Sequence, residues 1–275
     1  VYITAATFGG SGTISADGAS ASGSYGAGGG GRVSVVLSSG TSFGSVTMTA
    51  YPATLGGNGR KPSAGTVYTK TASQTHGTLT IDNNGIQIWT GSSQYLCPGT
   101  PIPDAESWQL DVVAALNGGR LTVTNGTSLT FGGSFDGSTT NGVLDIGDGG
   151  TLILESGTLT VTGVTFMTHW DATLSGLTNL TINSDAVVSH MKNNGNSEVN
   201  KLKIDIPGDL TIDAGGRLDV SAAGYGKNYG PGKPSSGYNG GSHGGVGGRY
   251  SSQTGDGSTY GSVIAPTNAG SGAGS

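Results

Sequence analysis

The sequence is poor in charged residues, basic clusters and long apolar runs, and each deficit excludes a class of protein. Only 11% of its 275 residues are charged, and the formal net charge is −5. A nucleic-acid partner is not expected, because nucleic-acid-binding proteins carry clustered lysine and arginine. No apolar run approaches the roughly 18 residues that a transmembrane helix needs, so the sequence predicts no membrane span.

Cysteine is almost absent, since Cys97 is the only one. One thiol cannot form an internal disulfide, and a zinc site needs several ligands. The favoured interpretation of Cys97 is a small, partly buried apolar side chain. An intermolecular disulfide is the alternative. No metal ion or other cofactor is predicted.

Glycine, by contrast, is abundant. The chain has 54 glycines and 9 prolines, just below the roughly 25–30% at which low-complexity disorder becomes the default interpretation. The apolar residues argue against disorder, because between about residues 77 and 222 they alternate with polar ones in short runs that end at Gly, Asn or Asp. No run has a convincing helical period. Residues 104–118 come closest, but Trp108, Leu110 and Val112 alternate equally well.

The spacing of equivalent leucines predicts the fold class. Steps of seven or eight positions recur, and three of them make a period of roughly 22 residues, within the range of stacked repeat units. This longer period is given by the pairs Leu121–Leu144, Leu129–Leu152, Leu159–Leu180 and Leu180–Leu202. It indicates an all-β parallel β-helix, or β-solenoid, with three strands per coil. An antiparallel sandwich also has short strands, but it does not require the longer period.

Residues 201–220 illustrate how side chains are expected to divide in such a coil. The apolar residues expected to point inward are Leu202, Ile204, Ile206, Leu210, Ile212, Leu218 and Val220. Those expected to point outward are Lys201, Lys203, Asp205, Thr211, Asp213, Arg217 and Asp219. Outward charges of this kind more often form a solvated face than a binding site.

Gly-rich segments follow three of the predicted strands, those in residues 13–19, 46–53 and 218–224. Excursions after one type of strand would leave the solenoid at one corner. The largest contains five tyrosines, which favour packed over free loops: Tyr225, Tyr229, Tyr238, Tyr250 and Tyr260. The sequence predicts a single β-helix domain over 1–275, with Gly-rich coils and loops in 1–76 and 221–275 and regular coils in 77–220.

Several strings carry a resemblance: IDAGGRLDVSAAGYG, GAGGGGRVSVVL and SAGTVYTK followed by HGTLTIDNNG. Over roughly residues 1–90 and 205–275 they are similar to Gly-rich repeat units of very large bacterial secreted and surface β-helix proteins. The resemblance implies the architecture of pectate-lyase-like and adhesin β-helices and an extracellular or cell-surface location. It is a poor guide to function, because one fold hosts many activities.

In such units the IDAGGRLDV-like strand usually precedes a Gly/Tyr loop, GSGAG, an ITA strand, an ISADG strand and then GGGGR. Here GSGAGS closes the sequence and VYITA opens it, so joining the end to the start restores the expected order. We also find no amphipathic helix to cap either end. Both features predict a repeat of a tandem array, or a subunit that stacks head to tail on copies of itself.

Three short motifs match catalytic or nucleotide-binding patterns, but the chain around them does not. Residues 26–31 (GAGGGG) fit the dinucleotide fingerprint, which requires a following helix; RVSVVL, a predicted strand, follows instead. Residues 40–44 and 240–244 fit the nucleophile elbow and also lack a helix. Asn125 and Asn179 lie in N-x-T sequons, which indicate surface turns at most.

One polar column is spaced like successive coils. Asp148, Asp171 and Asn193 follow one another at the same interval as the leucine pairs. The accompanying residues are His169, His190 and Lys192. An outward Asn/Asp turn ladder is the favoured interpretation, and a carboxylate site for lysis or hydrolysis of polysaccharide is the alternative.

No catalytic, cofactor-binding or metal-binding residue is predicted. The function predicted from the sequence is a structural or adhesive extracellular β-helix segment of a surface fibre or filament, with copies of itself as partners. The alternative is a polysaccharide-binding or polysaccharide-cleaving β-helix protein, with an extracellular or cell-surface polysaccharide as its partner.

Overall fold

The computed structural model describes residues 1–20, 26–54, 62–86, 99–103, 106–124, 126–137, 141–169, 171–193, 195–252 and 254–274. This part of the chain contains 19 strands and no helix, which confirms the all-β prediction. None of its elements is a helix long and apolar enough to cross a membrane. Residues 107–116, the segment with the most helix-like pattern, form a strand.

The strands are short and follow one another closely. The first nine are β1 Tyr2–Ala5, β2 Thr13–Ser15, β3 Arg32–Leu37, β4 Thr47–Thr49, β5 Thr66–Lys70, β6 Thr78–Asp82, β7 Thr100–Pro101, β8 Ser107–Leu116 and β9 Arg120–Val123. The others are β10 Ser128–Asp136, β11 Gly142–Ile146, β12 Thr151–Leu154, β13 Thr158–Thr162, β14 Val164–Thr168, β15 Thr173–Ser175, β16 Asn179–Ile182, β17 Val187–His190, β18 Leu210–Ile212 and β19 Arg217–Leu218.

These strands form three sheets. The largest has eleven strands in the order β1-β3-β5-β6-β8-β10-β13-β16-β18, with β12 also pairing with β10 and with β15. A second sheet has the order β19-β17-β14-β11-β9-β7, and β2 and β4 form a third. Nearly all described pairs are parallel, so the parallel part of the predicted fold class is confirmed.

The register of the central strands reproduces the leucine spacing. Leu144 lies opposite Leu121, and each is fully buried. Two further predicted pairs also lie in register: Leu129 with Leu152 and Leu159 with Leu180. Inward side chains on neighbouring parallel strands stack directly on one another, so similar aliphatic residues recur at the strand-to-strand interval.

The last predicted leucine pair is wrong. Leu180 lies opposite Leu210 rather than Leu202, because the chain between β16 and its neighbour β18 is longer than the leucine period. Leu202 lies in a segment without strand structure. Asn193 holds that segment together: its Oδ1 accepts hydrogen bonds from the backbone nitrogens of Val199 and Asn200, at 2.9 and 2.7 Å.

Strands β1 to β5 are separated by longer intervals than the central strands. Tyr2 lies opposite Ser34, and Arg32 lies opposite Thr66. The extra length is in Gly-rich segments after β2 and β4. Because β2 and β4 pair in parallel, these two segments leave the same side of their sheet.

The Gly-rich segments after β2 and β4 pack backbone against backbone. Gly30 donates a hydrogen bond to the carbonyl of Ser63 (3.0 Å), and Gly65 donates one to Ala50 (2.8 Å). A Cβ added to Gly65 would lie 1.7 Å from the carbonyl oxygen of Gly31. Glycine is therefore required by the closeness of the two segments, and residues 26–31 need no nucleotide to explain them. The strand predicted after them is confirmed as β3.

One strand pair departs from the parallel pattern. β5 and β6 are antiparallel, with Tyr68 opposite Leu79, and only residues 71–77 connect them. Asp111 stabilises this connection because its carboxylate accepts hydrogen bonds from the backbone nitrogens of His76 and Gly77. Strands β1, β3 and β5 therefore run opposite to β6 and the later strands of the same sheet.

The residues expected to point inward in 201–220 differ in burial: Leu202, Ile204 and Ile206 are half-buried, whereas those from β18 onward are exposed. Leu210 and Ile212 in β18 are 44% and 46% exposed, and Leu218 and Val220 are similarly exposed. In the described part of the chain β18 pairs only with β16 and forms the end of the sheet. Leu210 and Ile212 lie opposite the buried Leu180 and Ile182 in parallel register, so they face the same side of the sheet as those two, which agrees with the predicted direction. They are exposed because no further strand of the described chain covers them.

The chain divides into two compact units. Unit 1 comprises residues 1–166, 171–188 and 206–217, and unit 2 comprises residues 167–170, 189–205 and 218–275. Compact units need not be independent domains, so the single domain predicted over 1–275 stays a prediction.

Unit 2 consists mainly of Gly-rich chain folded back on itself. Tyr225 donates a backbone hydrogen bond to Gly270 (2.8 Å), and Gly272 donates one to Tyr229 (3.0 Å). The buried Ser242 donates from its hydroxyl to the Gly257 carbonyl at 2.6 Å. Of the five tyrosines expected to pack, Tyr225 and Tyr260 are partly buried. The other three are more exposed: Tyr229, Tyr238 and Tyr250.

Asp17 links the Gly-rich segments after β2 and β4. Its carboxylate accepts hydrogen bonds from Ser15 Oγ (2.8 Å), the Tyr51 backbone nitrogen (2.7 Å) and Thr49 Oγ1 (3.1 Å). Desolvation raises the pKa of Asp17, but the three hydrogen bonds together outweigh it and hold the pKa below its ordinary value of 3.8.

We expect Asp17→Asn to destabilise the chain at neutral pH. A lowered carboxyl pKa contributes stability above the ordinary pKa, and this contribution is lost as the pH falls through the folded-state pKa. The difference in unfolding free energy between wild type and Asp17→Asn should therefore shrink between about pH 5 and pH 2. Urea unfolding across that range measures it. Asp213→Asn, which removes an exposed carboxylate, is the control, and an equal pH dependence for both variants would contradict the assignment.

Candidate functional site

Two of the three residues of the predicted polar column lie in turns of unit 1. Asp148 lies between β11 and β12, Asp171 lies just before β15, and both are exposed. Strands β12 and β15 are parallel neighbours, so the two turns occupy successive positions along one sheet. This placement fits a ladder of turn residues.

Asn193, the third residue of the column, is buried in unit 2 and serves the backbone. Besides the two bonds that its oxygen accepts, its amide nitrogen donates to the carbonyl oxygens of Asn200 and Ala223, at 2.9 and 3.2 Å. No group of three or more His, Cys, Asp or Glu side chains in the described residues could hold a metal ion.

Of the other residues that the sequence singles out, some have a structural role and some lie outside the described residues. Asn179 is the first residue of β16, and its Oδ1 accepts a hydrogen bond from Asp209 N at 2.8 Å. It is therefore part of a strand rather than a surface turn. Cys97 and Asn125 lie outside the described residues. Residues 40–44 and 240–244 are not followed by a helix in the described chain.

Unit 2 contains a cavity of about 840 Å³. We call it the lysine cavity, because four of the chain's seven lysines line it. The four are Lys192, Lys201, Lys203 and Lys227. Its volume is within the range of ligand-binding pockets, roughly 300–1,000 Å³.

Three separate segments and His243 form the lysine cavity. Residues 190–203 and 220–227 contribute the lysines, and residues 266–274 form much of the remaining wall. No Asp or Glu is among the described lining residues. In a chain with a net charge of −5, this is a local concentration of positive charge, and a concave surface increases its effect on an incoming anion.

Glu198 braces the wall of the cavity. Its carboxylate lies 3.3 Å from Lys201 Nζ and accepts hydrogen bonds from Tyr225 Oη (3.3 Å) and from the backbone nitrogen of Ala269. Burial raises the pKa of Tyr225, and the charge of Glu198 raises it further. The phenol therefore stays protonated at neutral pH and remains a donor to Glu198.

Asn200 lines the lysine cavity and carries a buried hydrogen-bond acceptor. The residue is 7% exposed, and its backbone is fixed by Asn193. Its side-chain Oδ1 is buried and has no hydrogen-bond partner in the described chain. An unsatisfied buried acceptor costs about 1–3 kcal/mol, so a donor supplied by a ligand would be favourable.

The sequence had drawn attention to His190 and Lys192 only as neighbours of the polar column. Both line the lysine cavity, and so do Lys201 and Lys203, for which the sequence predicts a place on a solvated face. The available signal was local density, because three of the seven lysines occur between residues 192 and 203. Lys227 could not be assigned to the same place by spacing.

Comparison with known proteins adds no family. The chain matches no protein-family model, and neither a curated protein nor a solved structure matches it significantly. The resemblance to Gly-rich repeat units of secreted β-helix proteins therefore stays a prediction, and the function must be argued from the residues.

Proposed function

We propose that this chain is a segment of an extracellular parallel β-helix that serves as a structural or adhesive element of a surface fibre. The observation that carries the proposal is the nearly constant interval between parallel partners from β7 to β16. A constant interval between paired strands is what a coil of constant length produces.

The proposed coils contain three strands each. Strands β11, β12 and β13 form one coil. The next coil consists of β14 (its residues 164–166, which belong to unit 1), β15 and β16. Two of the required pairings are parallel, β12 with β15 and β13 with β16, and β11 neighbours β14 in the second sheet. Each strand of one coil thus has a partner at the equivalent position in the following coil.

End-to-end assembly is supported by the two terminal strands of the large sheet. β1 and β18 each pair on one side only in the described chain. Their side chains are exposed: Tyr2 is 74% and Ile212 46% accessible. Unpaired edges with apolar side chains are templates for pairing with another chain, and a contact between two different edges that does not close into a ring produces a filament.

The antiparallel β5–β6 pair determines the kind of junction. Because strand direction reverses once within the sheet, β1 and β18 run in opposite directions. In a head-to-tail stack, β18 of one copy would therefore meet β1 of the next in antiparallel orientation. The same junction would form between covalently linked repeats or between separate subunits.

Negative-stain electron microscopy and sedimentation test the assembly. We expect concentrated wild-type protein to form filaments, and Ile212→Lys to reduce the filamentous fraction strongly, because a charge on an edge strand opposes pairing. Val263→Lys is the matched control, since it places lysine at a fully exposed apolar residue outside any strand. Monomeric wild type at high concentration, or equal effects of both variants, would remove the support for end-to-end assembly.

The lysine cavity favours a second candidate, a polysaccharide-binding or polysaccharide-cleaving β-helix. Cleavage by elimination would release unsaturated sugars when the protein is incubated with pectin or alginate. Their appearance would replace the structural proposal with an enzymatic one.

A further inference from the structure

We propose that the lysine cavity of unit 2 binds an acidic oligosaccharide, that is, a short run of sugars carrying carboxylate or sulfate groups. The inference goes beyond fibre assembly and does not depend on it, because every lining residue belongs to unit 2 and the exposed edge strands belong to unit 1.

The first argument is the balance of charge at the cavity. Glu198 compensates Lys201, but none of the other three lysines, Lys192, Lys203 and Lys227, forms an ion pair with a described residue. Lysines rarely converge without acidic partners, because like charges repel in the free protein. A ligand with several negative groups relieves this repulsion, and lysines that belong to separated segments suit several anionic groups better than one.

The second argument is the chemistry of the buried acceptor. Lysines supply donors only, and a simple anion such as sulfate offers acceptors only. Asn200 Oδ1 needs a donor, which the hydroxyl groups of a sugar provide. An acidic sugar therefore satisfies the lysines and Asn200 together, whereas an inorganic anion leaves Asn200 unsatisfied.

The third argument is the size and the apolar part of the wall. Leu202, Val220 and Pro266 line the cavity, and they offer surface to the C–H face of a sugar ring. At about 840 Å³ the cavity exceeds what a single small anion fills. The combination of an apolar wall, a buried acceptor and several cations favours an oligosaccharide over a free ion.

Calorimetric titration with tri-galacturonate and with a sulfated trisaccharide tests the proposal and separates the two anionic groups. We expect binding of at least one of them that weakens as salt is raised, because charge attraction is screened. Maltotriose, a neutral trisaccharide, should not bind measurably. If neither acidic probe binds, or if maltotriose binds equally well, the proposal is wrong.

The variant Lys203→Gln/Lys227→Gln should bind the acidic probe at least about tenfold more weakly, because each lysine supplies a charge-assisted hydrogen bond. Lys233→Gln, an exposed lysine of the same unit that does not line the cavity, should retain wild-type affinity. Circular dichroism checks that both variants are folded. Equal affinities for both would place the binding elsewhere and overturn the assignment.

Asn200→Ala distinguishes a sugar from a simple anion. We expect this variant to bind the acidic trisaccharide several-fold more weakly while its response to inorganic sulfate is unchanged. If sulfate alone competes fully for the cavity and Asn200→Ala has no effect on the sugar, the cavity takes a simple anion and the oligosaccharide proposal fails. The filament experiment on Ile212→Lys can fail or succeed independently of this result.

Discussion

Replacing Phe131 by alanine is expected to lower the free energy of unfolding by about 3–5 kcal/mol, the range for a buried aromatic residue truncated in a core. Phe131 lies in β10 and is fully buried. It lies opposite Leu110 in β8 and Leu154 in β12, so neighbours on both sides lose packing. Urea unfolding followed by circular dichroism measures the loss.

The controls separate burial from residue type. Tyr2→Ala removes an aromatic ring that is 74% exposed, and we expect its effect to stay within about 0.5 kcal/mol. Phe131→Leu keeps much of the volume and should cost clearly less than Phe131→Ala. A cost for Phe131→Ala no larger than that for Tyr2→Ala would contradict the described core.

The regular part of the sheets was predictable from the sequence because one physical constraint determines the spacing. In neighbouring parallel strands, inward side chains at equivalent positions stack on one another. A residue similar in size to Leu121 is therefore expected one strand-to-strand interval further along the chain. That residue is Leu144, and the structure pairs the two. Where the chain between two strands has constant length, spacing alone gives the register.

Spacing fails where the chain between strands changes length. Leu202 lies one leucine period after Leu180, yet Leu210 occupies the paired position. The described residues 191–193 and 195–205 form an excursion held by the Asn193 side chain. A leucine one period after Leu180 is equally compatible with a paired strand and with such an excursion. The buried Asn193 side chain stabilises the excursion, but no pattern in the sequence distinguishes this asparagine from others.

The reversal at β5 and β6 was also invisible to pattern analysis. Alternating apolar and polar residues predict a strand in either direction. The segments around Val67 in β5 and Leu79 in β6 both alternate, so the pattern does not show that they run in opposite directions. The decisive feature is the short connection of residues 71–77, where Gly77 adopts a positive φ of 89°. A parallel connection would have required a longer crossover.

The lysine cavity was beyond prediction for a different reason. Lys203 and Lys227 belong to irregular segments on opposite sides of β18 and β19 in the sequence. A repeat period assigns positions only within regular strands, so only the folded backbone reveals that these two lysines face one cavity. The predicted column of Asp148, Asp171 and Asn193 follows the strand interval, since β17 neighbours β14 and the Met191 backbone nitrogen donates to the Thr168 carbonyl. Its third member nevertheless serves the backbone, because the Asn193 side chain is buried and hydrogen-bonded to residues of the segment that follows it.

A buried ion pair on the second sheet leads to the other large effect. Arg120 in β9 and Asp145 in β11 are bonded through Arg120 Nη2, and their side chains are 12% and 3% exposed. The Asp145 carboxylate is therefore buried although it belongs to a charged residue in a strand. Removing one partner leaves the other charge buried, so Arg120→Ala and Asp145→Ala should each cost about 3–5 kcal/mol in unfolding free energy.

A double-mutant cycle distinguishes this pairing from simple loss of side-chain volume. The variant Arg120→Met/Asp145→Leu removes both charges and keeps apolar bulk, so it should be far more stable than either alanine variant and close to wild type. Arg217→Ala, which removes an exposed arginine of the same sheet, should have little effect. If the losses of the two single alanine variants simply add in Arg120→Ala/Asp145→Ala, the two side chains act independently. Recovery of stability in the Met/Leu variant would show that the attraction between the two charges mainly offsets the cost of burying them. An apolar contact between β9 and β11 would then stabilise the fold equally well.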